Sequence, residues 1–357
     1  MNKVEEFLAE YTISSTNRSY SACLKKFFYA INADPNTYFE DNRDYEQDVK
    51  TLHANLIKEK KPALSQKQTL MVVKTFLENY DVIIPKRKWK KIRKKIKGSR
   101  AATLDVAPTK KELKQILTHA NAMKKSLFLI ACSSGIRIST ILQLEPSDVD
   151  LECNPPKITI PSNITKTGNP RYCFMSNEAK AALIEYLKIR DAYLQSAINR
   201  SKNKPHIKKD PNDTTIFPVS YHTVRQMWNR LLNKAGYDQR DKTTRRFIMH
   251  IHTLRKFFRT NMTYAGVPLD VAEALMGHEG YLTEAYRRYT LDQLAELYKK
   301  GMSAVTIFEG SAELTDIQNE QRKLKEENKA LHNEMKERKM EILELRLTLQ
   351  ELKNKKK

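Results

Sequence analysis

Apolar positions in the first part of the chain recur at helical spacing. In TNRSYSACLKKFFYAIN they fall at Tyr20, Leu24, Phe27, Phe28 and Ile31, and in LSQKQTLMVVKTFLENY at Leu70, Val73, Phe76, Leu77 and Tyr80. Steps of three and four put each set on one face, which predicts amphipathic helices packed into a small helical domain over residues 1–96. Ser65 stands where a cap would start the second helix. Residues 97–108 then read as a linker. Thr109 and Glu112 have capping-box spacing and open a second domain, 109–305. There SLFLIAC is an apolar helix stopped by Ser133, Ser134 and Gly135, with another helix near Ile138 to Leu144. SNEAKAALIEYLKIRDAYL, starting at Ser176, and YHTVRQMWNRLLNKAG, closed by Gly236, are two more. The polar, basic stretch from Asn199 to Asp213 reads as a loop. Two short β-prone runs, Ile158-Thr159-Ile160 and Tyr172-Cys173-Phe174, flank Pro, Asn and Gly residues, which predicts a hairpin with an irregular tip. The expected fold is therefore mainly α with a small antiparallel β-sheet.

A third pattern begins at Leu314. Leu314, Gln321, Asn328, Met335, Ile342 and Leu349 recur every seven residues, as do Ile317, Leu324, Leu331, Arg338, Leu345 and Leu352. Glu and Lys surround them. This is the seam of a C-terminal coiled coil over 311–354, whose partner is a second copy or another protein. Gln321 and Asn328 would fix its register, Asn favouring a parallel pair, and Arg338 weakens its middle. A lone solvated charged helix is the alternative.

Charge narrows the partners. The chain of 357 residues carries 64 Lys+Arg against 42 Asp+Glu, a net charge of +22. Such a balance favours phosphate backbones through counterion release, although RNA or an anionic membrane also fits. The excess is concentrated in KRKWKKIRKKIKGSR, which has ten basic residues and no acidic one. Lys86, Arg87, Lys88, Lys90, Lys91, Arg93, Lys94, Lys95 and Lys97 are candidate contacts to double-stranded DNA; a solvated face is the bland reading. No run of 18 apolar residues exists, and MNKVEEFLAEY lacks the form of a signal peptide, so no membrane span is expected. Cys23, Cys132, Cys153 and Cys173 lack metal-type spacing and read as reduced thiols of a cytoplasmic protein, which a DNA partner would place on the nucleoid.

Three segments carry chemistry. HTLRKFFRTNMTYAGVPLDVAEALMGHEGYLTEAYRRY, His252 to Tyr289, holds a His-x-x-Arg, a Gly-His and a closely following Tyr. Arg offers fixed charge and a planar donor fork for phosphate oxygens, His moves protons near neutral pH, and Tyr can be a covalent nucleophile. Alone, His252 and Arg255 equally suit a surface pair. In the second segment Arg137 follows a helix stop, where a helix N-terminus and an Arg make a plausible anion site; pairing with Asp148 or Asp150 is the alternative. In the third, Lys166 sits near the hairpin tip, where it either reaches into a groove as a proton donor or is merely solvated. Nothing in these segments suggests a metal site or a nucleotide cradle, so no cofactor is expected.

Arg, hairpin Lys, His-x-x-Arg, Gly-His and Tyr, in that order, resemble the tyrosine recombinases, also called phage-type integrases, archaeal-type members included. The likeness covers roughly residues 109–301 in detail and 1–100 in general character. It implies that Arg137 and Arg255 clamp the scissile phosphate, with Lys166 as the hairpin lysine and His252 and His278 as the two histidines. The family usually places its nucleophile nine residues after the Gly-His histidine. Here Tyr286 is eight after His278 and Tyr289 eleven after. The family also has a Ser or Thr cap four residues past the nucleophile and an apolar residue eight past it. Thr290 and Leu294 satisfy that register from Tyr286, which is therefore preferred, while Tyr289 and Thr290 match the common Tyr-Thr ending and keep Tyr289 as runner-up. Thr140 replaces an acidic residue common in the family, which touches the support of Arg137 rather than its role.

The resemblance implies a two-domain DNA clamp performing metal- and ATP-independent strand transfer through a 3′-phosphotyrosyl link, four protomers acting on two duplexes. Three other readings stand beside it. A type IB topoisomerase would reseal the same strand. A DNA-binding regulator could sit on a decayed recombinase fold. A coiled-coil scaffold would leave the reactive constellation unexplained.

Overall fold

The computed structural model describes residues 2–98, 103, 105–165, 168–201, 209–242, 244–278 and 288–308, with Met335 and Arg338. The chain divides into two compact units, Met1–Leu104 with Arg240–Arg246, and Asp105–Gln239 with Phe247–Lys357. The expected coiled-coil tail falls almost wholly outside the described residues, as do 99–102 and 104 of the expected linker; Met335 and Arg338 are helical. No helix among the described residues is long and apolar enough to cross a membrane.

The first unit is built from α1 (Lys3–Ala9), α2 (Ser14–Ile31), α3 (Tyr45–Lys58), α4 (Ala63–Asn79) and α5 (Lys86–Lys94). Its core holds the stripes expected from periodicity, Leu24, Phe27 and Phe28 against Leu70, Val73 and Phe76. Pro62, rather than Ser65, precedes the first turn of α4. Proline lacks the N–H that a helix start leaves unsatisfied, and its fixed φ feeds the chain into the helix. Within the basic run, Trp89, Ile92 and Ile96 are buried. Their spacing makes α5 amphipathic: an apolar edge locks it into the core, and the cations fan over its other faces.

The second unit opens with α6 (Lys110–Thr118), capped by the expected Thr109–Glu112 box, and α7 (Ala122–Ser134). It continues through α8 (Ile138–Ile141) and a sheet of β1 (Val149–Asp150), β2 (Lys157–Ile160) and β3 (Arg171–Phe174). Then come α9 (Asn177–Leu187), α10 (Arg190–Ser201), α11 (Tyr221–Lys234), α12 (Thr253–Tyr264), α13 (Leu269–Met276) and α14 (Leu291–Val305). The sheet is antiparallel in the order β1-β2-β3, with Ile158 opposite Cys173. Nearly every position of α7 is buried, and it packs against α9, α12 and α14. Two expectations need correction. The single helix read from Ser176 is two, α9 ending at Leu187 and α10 starting at Arg190, whose guanidinium is held by the Thr215 and Asp213 carbonyls. The loop read from Asn199 begins later, since α10 runs through Ser201.

Glu178 on α9 is 6% exposed and accepts from the backbone N–H groups of Ile307 (2.6 Å) and Phe308 (2.9 Å), fastening the segment after α14. Burial pushes its carboxyl up to about 7, against the opposing pull of the two N–H donors, Lys110 and Lys125. The folded chain therefore binds a proton here that the unfolded chain releases nearer 4.5. The resulting stability is present below about 4.5 and lost as pH rises through about 7, worth roughly 3 kcal/mol across that window. Glu178→Gln has no such proton, so the variant's denaturant midpoint should lose this fall relative to the parent between pH 5 and 7. Parallel pH dependences for the two chains would refute it.

Candidate active site

Three chain turns of the second unit bring Arg137, His252, Arg255 and His278 together. The first is the end of α7. Gly135 is left-handed there (φ 65°), and an added Cβ would stand 2.8 Å from Phe258 Cγ and 2.9 Å from Met276 Cγ. Only glycine lets α7 stop against α12 and α13. Arg137 follows on extended backbone, half-buried, as the residue before α8. With four residues α8 offers little helix-end field, so the attraction for an anion comes from the Arg137 charge itself. Neither suspected carboxylate holds it: Asp148 accepts from the Glu145 N–H, and Asp150 pairs with Lys157 and Cys153.

Arg255 comes from the first turn of α12 and is 4% exposed. It donates to the carbonyls of Gly135 and Met276, the latter at 3.2 Å from each terminal nitrogen. Those carbonyls terminate α7 and α13, where a helix has acceptors without intrahelical donors and a negative dipole end. A further donor goes to His278 Nε2 at 3.1 Å. Burial first, then the positive charges of Arg137 and Arg171, push the Arg255 guanidinium down to about 9, with Glu273 opposing. A guanidinium remains charged at neutral pH all the same. The direction of the shift records crowded positive charge that an incoming anion would relieve.

Arg171, which opens β3, was not among the sequence candidates. It is buried, and its guanidinium lies so close to Gly277 that any side chain at that position would collide with it. Gly277 is also left-handed (φ 78°), so two independent constraints demand the glycine of the Gly-His pair. Glu273, likewise unforeseen, is a carboxylate in the buried apolar stretch of α13; it accepts from Arg259 Nε and from His278 Nδ1. Burial would raise its carboxyl, but those two hydrogen bonds hold it below the usual range. Its signal in the sequence is a lone acid inside VAEALM.

His252 begins α12 with part of its ring exposed. Burial of the rest, then the charges of Arg255, His250, Lys256 and Arg137, lower its proton affinity, leaving a neutral ring at neutral pH. The backbone N–H of His252 donates to His250 Nδ1 (3.2 Å), and the two rings lie nearly parallel at 6.3 Å. Since His250 accepts at Nδ1, its own proton sits on Nε2, 3.1 Å from Asp105. Asp105 also takes Lys256 at 3.0 Å. Burial raises the Asp105 carboxyl, but Lys256 and His250 hold it down. This support for His252 was invisible in the sequence.

Lys166 and Tyr286 lie outside the described residues. The strands flanking Lys166 are in register, Ile160 opposite Arg171. Tyr289 is half-buried against the second core. Thr290 caps α14, accepting from the Gln293 N–H at 3.3 Å, and Leu294 is buried, as the register from Tyr286 expects.

The first unit holds the other candidates. Lys86, Arg87, Lys90, Lys91, Arg93, Lys94, Lys95 and Lys97 are exposed, and Lys88 is half-buried. Glu46 pairs with both Lys50 and Lys88. Among the described residues Lys91 and Lys95 have no carboxylate partner, and they line a groove of about 390 Å³ beside α3. Arg93 faces a separate groove with Lys67 and Lys74.

Residues 108–294, more than half of the chain, match the Phage integrase family. Tyrosine recombinase XerA of Pyrococcus horikoshii is 24% identical over 204 residues, 57% of this chain and 63% of that protein. Tyrosine recombinase XerD of Rickettsia prowazekii is 29% identical over 163 residues, 44% of this chain and 47% of that protein. The chain thus spans less than two thirds of the length of the curated relatives it matches. Among solved structures, a lambda integrase dimer bound to a COC′ core site aligns with TM-score 0.55 and 15% identity, over 83% of this chain and 76% of that one. The Tn1549 transposon integrase in complex with transposon right end DNA aligns with TM-score 0.54 and 16% identity, over 84% and 99%. At these identities the likeness is one of fold. With the family match covering the segment that contains Arg137, Arg255 and His278, the chain belongs to the phage integrase family, the tyrosine recombinases.

Proposed function

We propose that the chain is a site-specific DNA recombinase that cuts and rejoins strands through a 3′-phosphotyrosyl intermediate. The observation that carries this reading is the crowding of Arg137 and Arg171 around the buried Arg255, a concentration of positive charge fitted to a phosphate. Arg137 and Arg255 hold the scissile phosphodiester and stabilise the charge that grows on it. The Tyr286 oxygen attacks phosphorus as its proton passes to His252, whose lowered proton affinity suits a neutral acceptor. The bond from phosphorus to the 5′-oxygen breaks, and that oxygen takes a proton from Lys166. One phosphoester replaces another, so the link stores the bond energy, and a 5′-hydroxyl from a second strand reverses the step. The scheme calls for neither ATP nor a metal ion. His278 Nε2 faces an Arg255 donor at 3.1 Å, which supports a role in aiming Arg255. Donation from His278 to a phosphate oxygen, the role the resemblance implies, would need a second proton on the ring.

The helical unit is proposed to hold the duplex from its other side, mostly through phosphates. Exchange between two duplexes cuts four strands once each, which calls for a tetramer on DNA. The heptad seam of residues 311–354 supports self-association of the tail within it.

The reading is tested by incubating the protein with a library of nicked duplexes and recovering adducts that survive denaturant. A tyrosyl peptide containing Tyr286, joined to one family of sequences, is expected. Binding without an adduct would indicate a regulator on a recombinase fold. Relaxation of supercoiled DNA without recombinant products would indicate a topoisomerase.

Replacing Lys90, Lys91, Lys94 and Lys95 by Ala should weaken binding to all duplexes alike and flatten its salt dependence. Each lost phosphate contact is expected to reduce the slope of log K against log salt by about one. Trp89 and Ile92 remain to hold α5, so folding should survive. An unchanged slope would mean that the cations only solvate the helix.

A further inference from the structure

We propose that Glu273 is a positioning residue for strand transfer: it fixes the tautomer of His278 and, through that ring, the aim of Arg255. The assignment rests on the recombinase reading of this site. The residues of α13 around Glu273 are apolar and buried, Val271, Ala272, Ala274, Leu275 and Met276 among them. A carboxylate there is costly unless each oxygen finds a donor. Both do, in Arg259 and His278.

The two ends of the His278 ring then specify its proton. An ionised carboxylate only accepts, so Nδ1 carries the hydrogen. A guanidinium only donates, so Nε2, 3.1 Å from Arg255, is bare. The swapped tautomer would set an N–H against an N–H at one end and a lone pair against a carboxylate at the other. The remaining charges close to Arg255, those of Arg137 and Arg171, are positive and offer no competing acceptor.

Arg255 serves three protein acceptors. The carbonyls of Gly135 and Met276 are fixed by helix ends and accept in every state. His278 is the one acceptor that depends on a proton, and Glu273 decides where that proton lies. The buried carboxylate thus acts at second hand on the guanidinium proposed to clamp the phosphate. It touches no substrate itself.

The test uses the full chain labelled with ¹⁵N-histidine, without DNA, its long-range ¹H–¹⁵N spectrum assigned through His278→Asn. The parent ring should be protonated at Nδ1. Glu273→Leu should shift the ring toward Nε2–H. Glu273→Gln offers one oxygen to two donors; Arg259, which can only donate, takes it and the amide NH2 faces Nδ1, so this ring too should shift toward Nε2–H. On the nicked substrate, adduct formation should fall at least about 10-fold in both Glu273→Leu and Glu273→Gln, as for a histidine whose orienting carboxylate is replaced by an amide. A parent ring protonated at Nε2 would overturn the proposal, and that spectrum decides the matter even if Glu273→Leu does not fold. So would a Leu variant that keeps both tautomer and rate. A parent that shows the expected tautomer, loses it in Glu273→Leu, and yet forms no adduct on any duplex would uphold the positioning of His278 while rejecting the recombinase reading.

Discussion

Tyr286→Phe is expected to bind duplex DNA as the parent does and to form no covalent adduct, a loss of about 10⁴-fold or more, as when a covalent nucleophile is removed. The substitution deletes one oxygen and leaves the ring. Binding, dominated by cations and backbone contacts, has no reason to change. The choice of tyrosine rests on the helix that follows. Thr290 caps α14 and Leu294 is buried within it, four and eight residues past Tyr286. Tyr289 stands directly before that cap, half-buried against the core. A ring held there by packing is poorly placed to swing to a phosphate, so Tyr289→Phe should retain the adduct and lose at most a little stability. An adduct that persists in Tyr286→Phe and vanishes in Tyr289→Phe would reverse the assignment.

What the sequence made legible follows from the range of the forces involved. Helices with one apolar stripe, the Thr109–Glu112 box and the Thr290 cap are local, and they stand where the pattern put them. The hairpin was legible from β-prone runs around Pro, Asn and Gly, whereas the two-residue β1 carried no pattern of its own. The candidate Arg and His residues were legible as a family order. The groups that support them were not. Asp105 holds His250 from far along the chain, and Arg171 meets Gly277 only because β3 packs on α13. Neither relation leaves a periodicity. Nor does composition distinguish an arginine that will be buried among like charges from one that will be solvated. The basic run shows the same limit: its charge was plain, but its two grooves depend on Trp89 and Ile92 being turned into the core.

Arg255→Lys should lower adduct formation by roughly 10²- to 10³-fold, the cost of losing a well-aimed donor to developing charge, while DNA affinity changes little. The substitution keeps a cation but loses its shape. The guanidinium spreads donors to Gly135, Met276 and His278 from one rigid plane. An ammonium has three donors on a flexible stem and cannot span the same acceptors. The environment is also hostile to it. Burial and the charges of Arg137 and Arg171, which already push Arg255 down to about 9, act on a lysine that starts with a lower affinity for its proton. The lysine would therefore sit there partly neutral, with still less hold on a phosphate. Two helix-end carbonyls would lose a donor, which costs roughly 1–3 kcal/mol per buried group left unsatisfied. The thermal midpoint must be measured alongside the adduct rate for that reason. A variant folded at the assay temperature, equal in DNA binding and within a few-fold of the parent in cleavage, would show that Arg255 is a structural staple between α7, α12 and α13, and that the phosphate is held by other groups.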